Sequence, residues 1–397
     1  MMAPRKIRHI LGIDALRFIA SILVMFYHLG FWIWAGHNVD VSYRWPMTFS
    51  WFGHVGVEIF FTISGFVIAY TAEPADGISF FRGRAARLLP GSIACSTITT
   101  GILLISGKRH LLHEWINSAV ILPKGPWIDG SYWTLPIELS FYTVVFLLLL
   151  LNLKRFIPAV VGTIGLLSSA IWIALTAANQ FALLRHSDQV IHWTSHWIYI
   201  LSTREDVFLT LIPHGCFFAE GEFLWLCLFK RPTRGRIAVM AFCAVGGITE
   251  TLNHAILGLE AAFNSSHPGW PYHPAIPCLA WIISVVALYL SVRKNDWISN
   301  LFGKRAGWLR QAGLLTYPLY LLHQSIGFAM ISGLRSHVSD SASLLIACAT
   351  IMMLSFCVAR FVEPFLKDIT LWLIPANYAT PRLAAETSSV TSTTTKV

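Results

Sequence analysis

The chain has 397 residues, of which 55% are hydrophobic and only 12% charged, and it carries a net charge of +9. A soluble domain usually has about twice that charged fraction, and the apolar residues here fall in runs of about 20, the length that crosses a bilayer as a helix. These features exclude a soluble α/β protein. The basic residues stand in short clusters between the apolar runs, which indicates membrane orientation and argues against nucleic-acid binding.

The apolar runs predict an all-α fold, a polytopic membrane protein with about ten transmembrane helices. A shorter apolar run at 193–202 fits a re-entrant or interfacial piece. The ten predicted spans are residues 12–34, 54–72, 90–106, 133–152, 156–177, 207–229, 237–257, 275–292, 312–332 and 343–362.

The distribution of Lys and Arg predicts that both termini are cytoplasmic. With ten spans and the N-terminus inside, 20 basic residues fall in cytoplasmic segments and 7 outside. Residues 1–11 then form a cytoplasmic segment that leads into a retained first helix, residues 12–365 form a single transmembrane domain, and the polar segment 376–397 is expected to be a disordered cytoplasmic tail.

The first span contains three polar residues that need a reason to lie in a membrane: Asp14, Arg17 and His28. Asp14 and Arg17 are three residues apart and can pair on one helix face. Arg17 and His28 are eleven apart, so they share a face about 16 Å apart along the axis. The alternative is that both simply line a polar helix interface.

The second span and the segment after it carry further polar groups. The second span contains Glu58 and the run FFTISG at 60–65, which includes Ser64 and allows close helix approach. The following inside loop holds Arg82, Arg84 and Arg87 at the membrane surface. Arginine suits phosphate because its planar fork can bond two oxygens at once, although an ordinary positive-inside cluster would look the same.

Two later spans also contain groups that would be out of place against lipid. Glu138 lies one turn into the fourth span, within WTLPIE, and Tyr317 and His323 lie in the ninth, within YPLYLLH. The seven cysteines form no CxxC pair and the histidines show no zinc-ligand spacing, so the sequence predicts no metal site.

In order and topology these motifs resemble the integral-membrane acyltransferase-3 family, bacterial O-acyltransferases of polysaccharides, lipo-oligosaccharides and some antibiotics. The resemblance covers about residues 10–365 and suggests the stand-alone form, without the fused extracytoplasmic domain of longer members. Its motifs are Arg17 and His28 with ten residues between them, the run at 60–65, Arg84-x-x-Arg87 with Pro90, the segments at 133–138 and 317–323, and Glu363-Pro364.

The resemblance implies an enzyme of the bacterial cytoplasmic membrane that moves an acyl group, acetyl on family grounds, from acyl-CoA to a sugar hydroxyl. His28, Glu138 and Arg17 are then the expected catalytic residues, with His28 acting as general base or as acyl carrier and Glu138 orienting His28 or the acceptor. Acyl-CoA is a co-substrate, no permanently bound cofactor is expected, and the partners are membrane lipid and a sugar or lipid-linked glycan. The expected binding residues are Arg82, Arg84, Arg87, Ser64, Tyr317 and His323, with Arg84 and Arg87 on the CoA phosphates.

Two other function classes remain open from the residues alone. A secondary transporter would share the span number and the intramembrane charges, but it usually carries inverted repeats, and none is visible here. A non-catalytic subunit of polysaccharide export would not need a deep histidine together with an inner arginine cluster.

Overall fold

A computed structural model describes residues 9–41, 44–266 and 268–374, and every regular element in these ranges is a helix. Nine helices in these ranges are long and apolar enough to cross a membrane, which confirms the all-α polytopic fold. In the sixth predicted span, 207–229, the long helix is Gly215–Phe229, whose 15 residues are by themselves shorter than a full crossing. The short helix Glu205–Phe208 and turns at 209–214 precede it and complete the span. In chain order the ten helices are α1 (Leu11–Ala35), α2 (Met47–Ala72), α3 (Gly77–Ile105), α4 (Gly130–Leu150), α5 (Lys154–Arg185), α6 (Gly215–Phe229), α7 (Arg234–Phe263), α8 (Ala275–Arg293), α9 (Ala306–Leu334) and α10 (Asp340–Leu373).

Shorter helices connect these spans. The apolar run at 193–202 lies in the helix Asp188–Thr203, whose Trp193, Trp197 and Tyr199 are exposed, a pattern that suits a membrane interface. The other short helices are Leu112–Ala119, Glu205–Phe208 and Asn295–Phe302. The predicted disordered tail at 376–397, and all but the last residues of the N-terminal segment, lie outside the described residues.

The arginine-rich segment expected to be a loop is the beginning of α3. The helix begins at Gly77 because Asp76 caps it: its carboxylate accepts from the Ser79 amide at 2.8 Å, and the Ser79 hydroxyl lies 3.2 Å from the Asp76 amide. Pro90, placed at the predicted start of the span, lies inside the helix. The three arginines are therefore held on a rigid helix, at fixed angles to one another.

Helices α2 and α6 cross in close contact because glycine lies at the crossing. A β-carbon added at Gly65 would lie 2.0 Å from the Phe218 carbonyl oxygen, and one added at Gly221 would lie 2.0 Å from that of Thr62. Small residues at a helix crossing let the two backbones approach. This packing is what the run at 60–65 suggested, and it fixes the position of Ser64 next to the crossing.

Helix α1 contains a π-helical segment at Tyr27–Trp32. Such segments are often found at functional sites because the extra residue in the turn changes the direction of the side chains. His28 lies in this segment and Arg17 lies in the regular α-helical part before it. The expected pairing of Asp14 with Arg17 is not the one observed, since Asp14 Oδ2 lies 3.0 Å from His9 Nε2.

Candidate active site

A cavity of about 580 Å³ lies among α1, α2, α3, α4, α9 and α10. It brings together residues that the sequence motifs singled out on all six helices. The predicted site residues that line it are Arg17, Ser64, Arg84, Arg87, Glu138 and Tyr317, and the motif residues Pro90, Glu363 and Pro364 line it as well. The volume is in the range of small-molecule and cofactor sites.

One wall of this cavity is basic. The Arg84 guanidinium lies over the rings of Phe80 and Tyr142, 5.8 and 5.7 Å from their centroids, and that of Arg87 lies 5.3 Å from the centre of Tyr317. Aromatic faces hold a guanidinium in place without using its N–H groups. The Nε of Arg84 is buried and has no hydrogen-bond partner among the described residues.

The carboxylate of Glu138 is held by two hydroxyl groups. Ser64 donates to Oε1 at 2.7 Å, and Tyr142 donates a short hydrogen bond to the same oxygen. These bonds link α4 to α2 and orient the carboxylate in the cavity wall. The hydrogen bonds described for Glu138 therefore do not involve His28.

His28 is paired with His323 instead. His28 Nδ1 lies 2.9 Å from His323 Nε2 and 3.0 Å from the Val24 carbonyl oxygen. His323 Nδ1 lies 2.7 Å from the Tyr320 carbonyl oxygen. His323 is fully buried, whereas His28 is half-buried.

The two carbonyl groups assign the protons of this pair. A carbonyl oxygen can only accept, so His323 carries its proton on Nδ1 and, when neutral, presents Nε2 as an acceptor. The proton between the rings must then come from His28 Nδ1, which also points to the Val24 carbonyl. The remaining nitrogen of neutral His28, Nε2, keeps a free lone pair, as a base or nucleophile requires.

The histidine pair adjoins the cavity through Tyr320. Neither His28 nor His323 is among the residues that line the cavity, whereas Tyr320 does line it. The Tyr320 ring lies 5.8 Å from that of His323, and its hydroxyl lies 3.0 Å from Thr134 Oγ1. The basic wall, the held carboxylate and the histidine pair thus form one connected polar region in the helix bundle.

The structure places Arg82 away from this region. Its side chain donates to the Ile374 and Leu371 carbonyl oxygens at 2.7 and 3.2 Å. These are carbonyls at the C-terminal end of α10, which a cation stabilises. Of the three arginines singled out, only Arg84 and Arg87 face the cavity.

The lining residues that the sequence analysis did not single out include three with polar groups of interest: Tyr142, Tyr320 and Lys367. A local signal existed for two of them, since Tyr142 follows Glu138 by four residues and Lys367 follows Glu363 by four, which places each pair on one helix face. Tyr320 lies within a motif that was recognised for Tyr317 and His323.

Comparison with known proteins identifies the family of the chain. A family model described as an acyltransferase domain, that of acyltransferase 3, matches residues 10–360. The chain belongs to the acyltransferase-3 family. The matched residues include all of α1 to α9 and most of α10.

Individual relatives are distant. A protein of Staphylococcus aureus (strain COL) named "Putative O-acetyltransferase" is 26% identical over 92% of this chain and 58% of its own length. The "O-acetyl transferase" of Shigella phage Sf6 is 28% identical over 33% of this chain and 43% of its own. "Nodulation protein 10" of Rhizobium leguminosarum bv. viciae is 27% identical over 34% and 43%.

The chain therefore spans somewhat more than half the length of the staphylococcal relative. No solved structure matches it.

Proposed function

We propose that this member of the family transfers an acyl group, acetyl in the first instance, from acyl-CoA to a sugar hydroxyl. The observation that carries the proposal is the single cavity that joins a basic wall, a held carboxylate and, through Tyr320, the His28–His323 pair. An acyl-CoA donor has a phosphorylated end that suits the basic wall and a reactive thioester end that suits the histidine pair.

The basic wall is the proposed site of the CoA phosphates. Arg84 and Arg87 lie one turn apart on α3, and Arg17 lines the same cavity from α1. Guanidinium groups bind phosphate in bidentate fashion, and aromatic support leaves their N–H groups available. Lys367 of α10 lines the same cavity and adds a positive charge. Arg82 is not part of the proposed site because its guanidinium already donates to two backbone carbonyl groups.

His28 is the proposed base. Its Nε2 removes the proton of the acceptor hydroxyl, the oxygen attacks the thioester carbonyl carbon, and the carbon–sulfur bond breaks. The CoA thiolate leaves and takes up the proton, which regenerates neutral His28. In the alternative course, Nε2 attacks the thioester carbonyl carbon, the carbon–sulfur bond breaks and the CoA thiolate leaves. The acceptor oxygen then attacks the acyl carbon on Nε2, its proton passes to the thiolate, and the carbon–nitrogen bond breaks to restore neutral His28.

Glu138 and Ser64 are proposed to position substrate. The Glu138 carboxylate lines the cavity, where it can accept a hydrogen bond from an amide or hydroxyl group of donor or acceptor. Its bonds from Ser64 and Tyr142 fix the direction of that acceptor. Tyr317 supports the site from α9 by stacking under Arg87.

The choice of a sugar as the acceptor rests on the family and on the word O-acetyl in the names of two relatives.

Acyl-CoA is a cytoplasmic metabolite, so the proposal requires the N-terminal end of α3 to face the cytoplasm. This agrees with the positive-inside distribution and with cytoplasmic termini. Reporters fused at Arg155 and Arg234 are expected to read cytoplasmic and one at Asp188 extracytoplasmic. A periplasmic reading at Arg234 would contradict the orientation.

The direct test is acyl transfer in inverted membrane vesicles supplied with radiolabelled acetyl-CoA and a panel of glycans. Label is expected to appear in glycan with wild-type protein, and to fall about 10- to 100-fold with Arg87→Ala when acetyl-CoA is kept below the wild-type KM. Arg155→Ala, which removes an exposed basic side chain outside the cavity, is the matched control and should transfer normally. Equal labelling by wild-type and Arg87→Ala vesicles would contradict the proposed donor site.

A further inference from the structure

A second polar cluster lies outside the cavity. It comprises His54, Glu58 and His254, and we call it the histidine–glutamate cluster. One ligand atom from each residue lies within 4.8 Å of the other two. His54 and Glu58 come from α2 and His254 from α7, so the cluster joins two helices that are far apart in sequence.

Two members of the cluster are buried, and its contacts are too long for good hydrogen bonds. Glu58 is 1% exposed and His54 is 7% exposed, whereas the His254 side chain is 28% exposed. Glu58 Oε1 lies 3.6 Å from His54 Nδ1 and 3.4 Å from His254 Nδ1. N–H···O hydrogen bonds are usually 2.7–3.2 Å long. Both ring nitrogens of His54 and the second oxygen of Glu58 are buried without a hydrogen-bond partner among the described residues.

These separations suit ligands of a shared metal ion. A tetrahedral Zn²⁺ with bonds of 2.0–2.2 Å places its ligand atoms about 3.3 Å apart. The two nitrogen-to-oxygen distances, 3.4 and 3.6 Å, are close to that value. Two histidines and one glutamate form a ligand set used by zinc sites that keep a fourth position open.

The charges around the cluster also favour a bound cation. Glu250, 2% exposed, lies one turn before His254 on α7, and its Oε1 is 3.9 Å from His254 Nδ1. Its other short contact is to His214 Nδ1 at 3.4 Å. Two carboxylates buried in an apolar bundle are costly unless cations compensate them. One divalent cation would balance the charges of Glu58 and Glu250.

We infer that the histidine–glutamate cluster binds one divalent transition-metal ion, Zn²⁺ by its ligand chemistry. The ion ties α2 to α7. Tyr27 places it close to the candidate base, because that ring contacts His28 at 5.1 Å and His54 at 5.7 Å between centroids. The spacing of histidines within single segments gave no sign of this site, since its third ligand comes from α7.

Metal content of the full chain tests this inference. The protein is purified in detergent with an affinity tag that contains no histidine, and bound zinc is measured by mass spectrometry. On the order of one ion per chain is expected in the wild type, and at least about tenfold less in Glu58→Gln and His254→Gln. Glu220→Gln, which removes another buried glutamate on α6, is the matched control and should keep its metal.

A second measurement guards against variants that do not fold. Wild-type protein is stripped with a chelator and titrated with Co²⁺ and, separately, with Zn²⁺. Visible absorption of tetrahedral cobalt at one equivalent and a higher Tm with zinc are expected. Folded wild-type protein that holds neither ion, or a Glu58→Gln variant that is monodisperse and holds as much as the wild type, would overturn the metal site.

Discussion

Two regions of this molecule place polar and charged side chains inside an apolar helix bundle, and they are assembled in different ways. In the cavity, Arg84, Arg87 and Glu138 are contacted by aromatic rings or hydroxyl groups, and the guanidinium groups keep N–H donors that these contacts do not use. In the histidine–glutamate cluster, the buried groups face one another at 3.4 to 3.6 Å without good hydrogen bonds.

The difference indicates two kinds of ligand. Rings and hydroxyls that hold a cation or carboxylate from the side leave its remaining polar atoms directed into a space of about 580 Å³, which suits an extended organic substrate. Polar atoms that converge on one point leave room for a small ion. Variants in each region can test whether the two roles are separate.

The largest effect on acyl transfer is expected for substitution of His28. His28→Ala should lower acyl transfer at least about 100-fold, the usual scale for loss of a general base, while the protein remains folded and inserted. The rate of acyl transfer in vesicles, normalised to inserted protein, is the measurement. His28→Gln keeps hydrogen-bonding capacity without a basic nitrogen, so recovery of most activity in that variant would make His28 a packing contact.

The next effect concerns the basic wall. Arg84→Ala and Arg87→Ala should each raise the KM for acyl-CoA about 10- to 100-fold, because each removes hydrogen bonds to a charged group worth about 1.5–3 kcal/mol. Lysine should rescue poorly since it lacks the planar fork.

The KM for acyl-CoA is the measurement that separates the two regions most clearly. Arg82→Ala and Glu58→Gln lie outside the cavity, and both are expected to leave the KM for acyl-CoA within about twofold of the wild type, on the scale of substitutions away from such contacts. An equal rise in KM in Arg82→Ala and Arg84→Ala would contradict this and would indicate that Arg82 takes part in binding acyl-CoA.

A third effect is on stability. Gly65→Ala places a methyl group where the Phe218 carbonyl lies 2.0 Å away, so α2 and α6 must move apart, at a cost of about 1–3 kcal/mol. Thermal unfolding in detergent should show a lower Tm. Gly101→Ala is the matched control, since its added methyl meets nothing within 4 Å, and it should be neutral or stabilising.

The smallest effect is expected at Tyr142. Tyr142→Phe removes one of the two hydroxyls that hold Glu138 and leaves the Ser64 bond in place. A loss of about 1 kcal/mol, or roughly fivefold in kcat/KM, is the typical net value of one hydrogen bond. No change in Tyr142→Phe combined with a large loss in Ser64→Ala would assign the positioning to Ser64 alone.

The sequence alone determined the helical membrane fold, the order of the spans and most of the charged residues that line the cavity. These follow from local properties: apolar length sets a span, and charged groups such as Arg17, Arg84 and Glu138 are rare enough in apolar surroundings to be noticed. Helix ends were less certain, because the Asp76 cap begins α3 at Gly77, well before the apolar run.

Tertiary structure decided which of these groups meet. Asp14 contacts His9 and not Arg17, Arg82 caps the last helix, and His323 rather than Glu138 contacts His28. The histidine–glutamate cluster depends on how α2 packs against α7. Contacts between distant helices depend on the packing of the whole bundle, and no pattern within one segment records them.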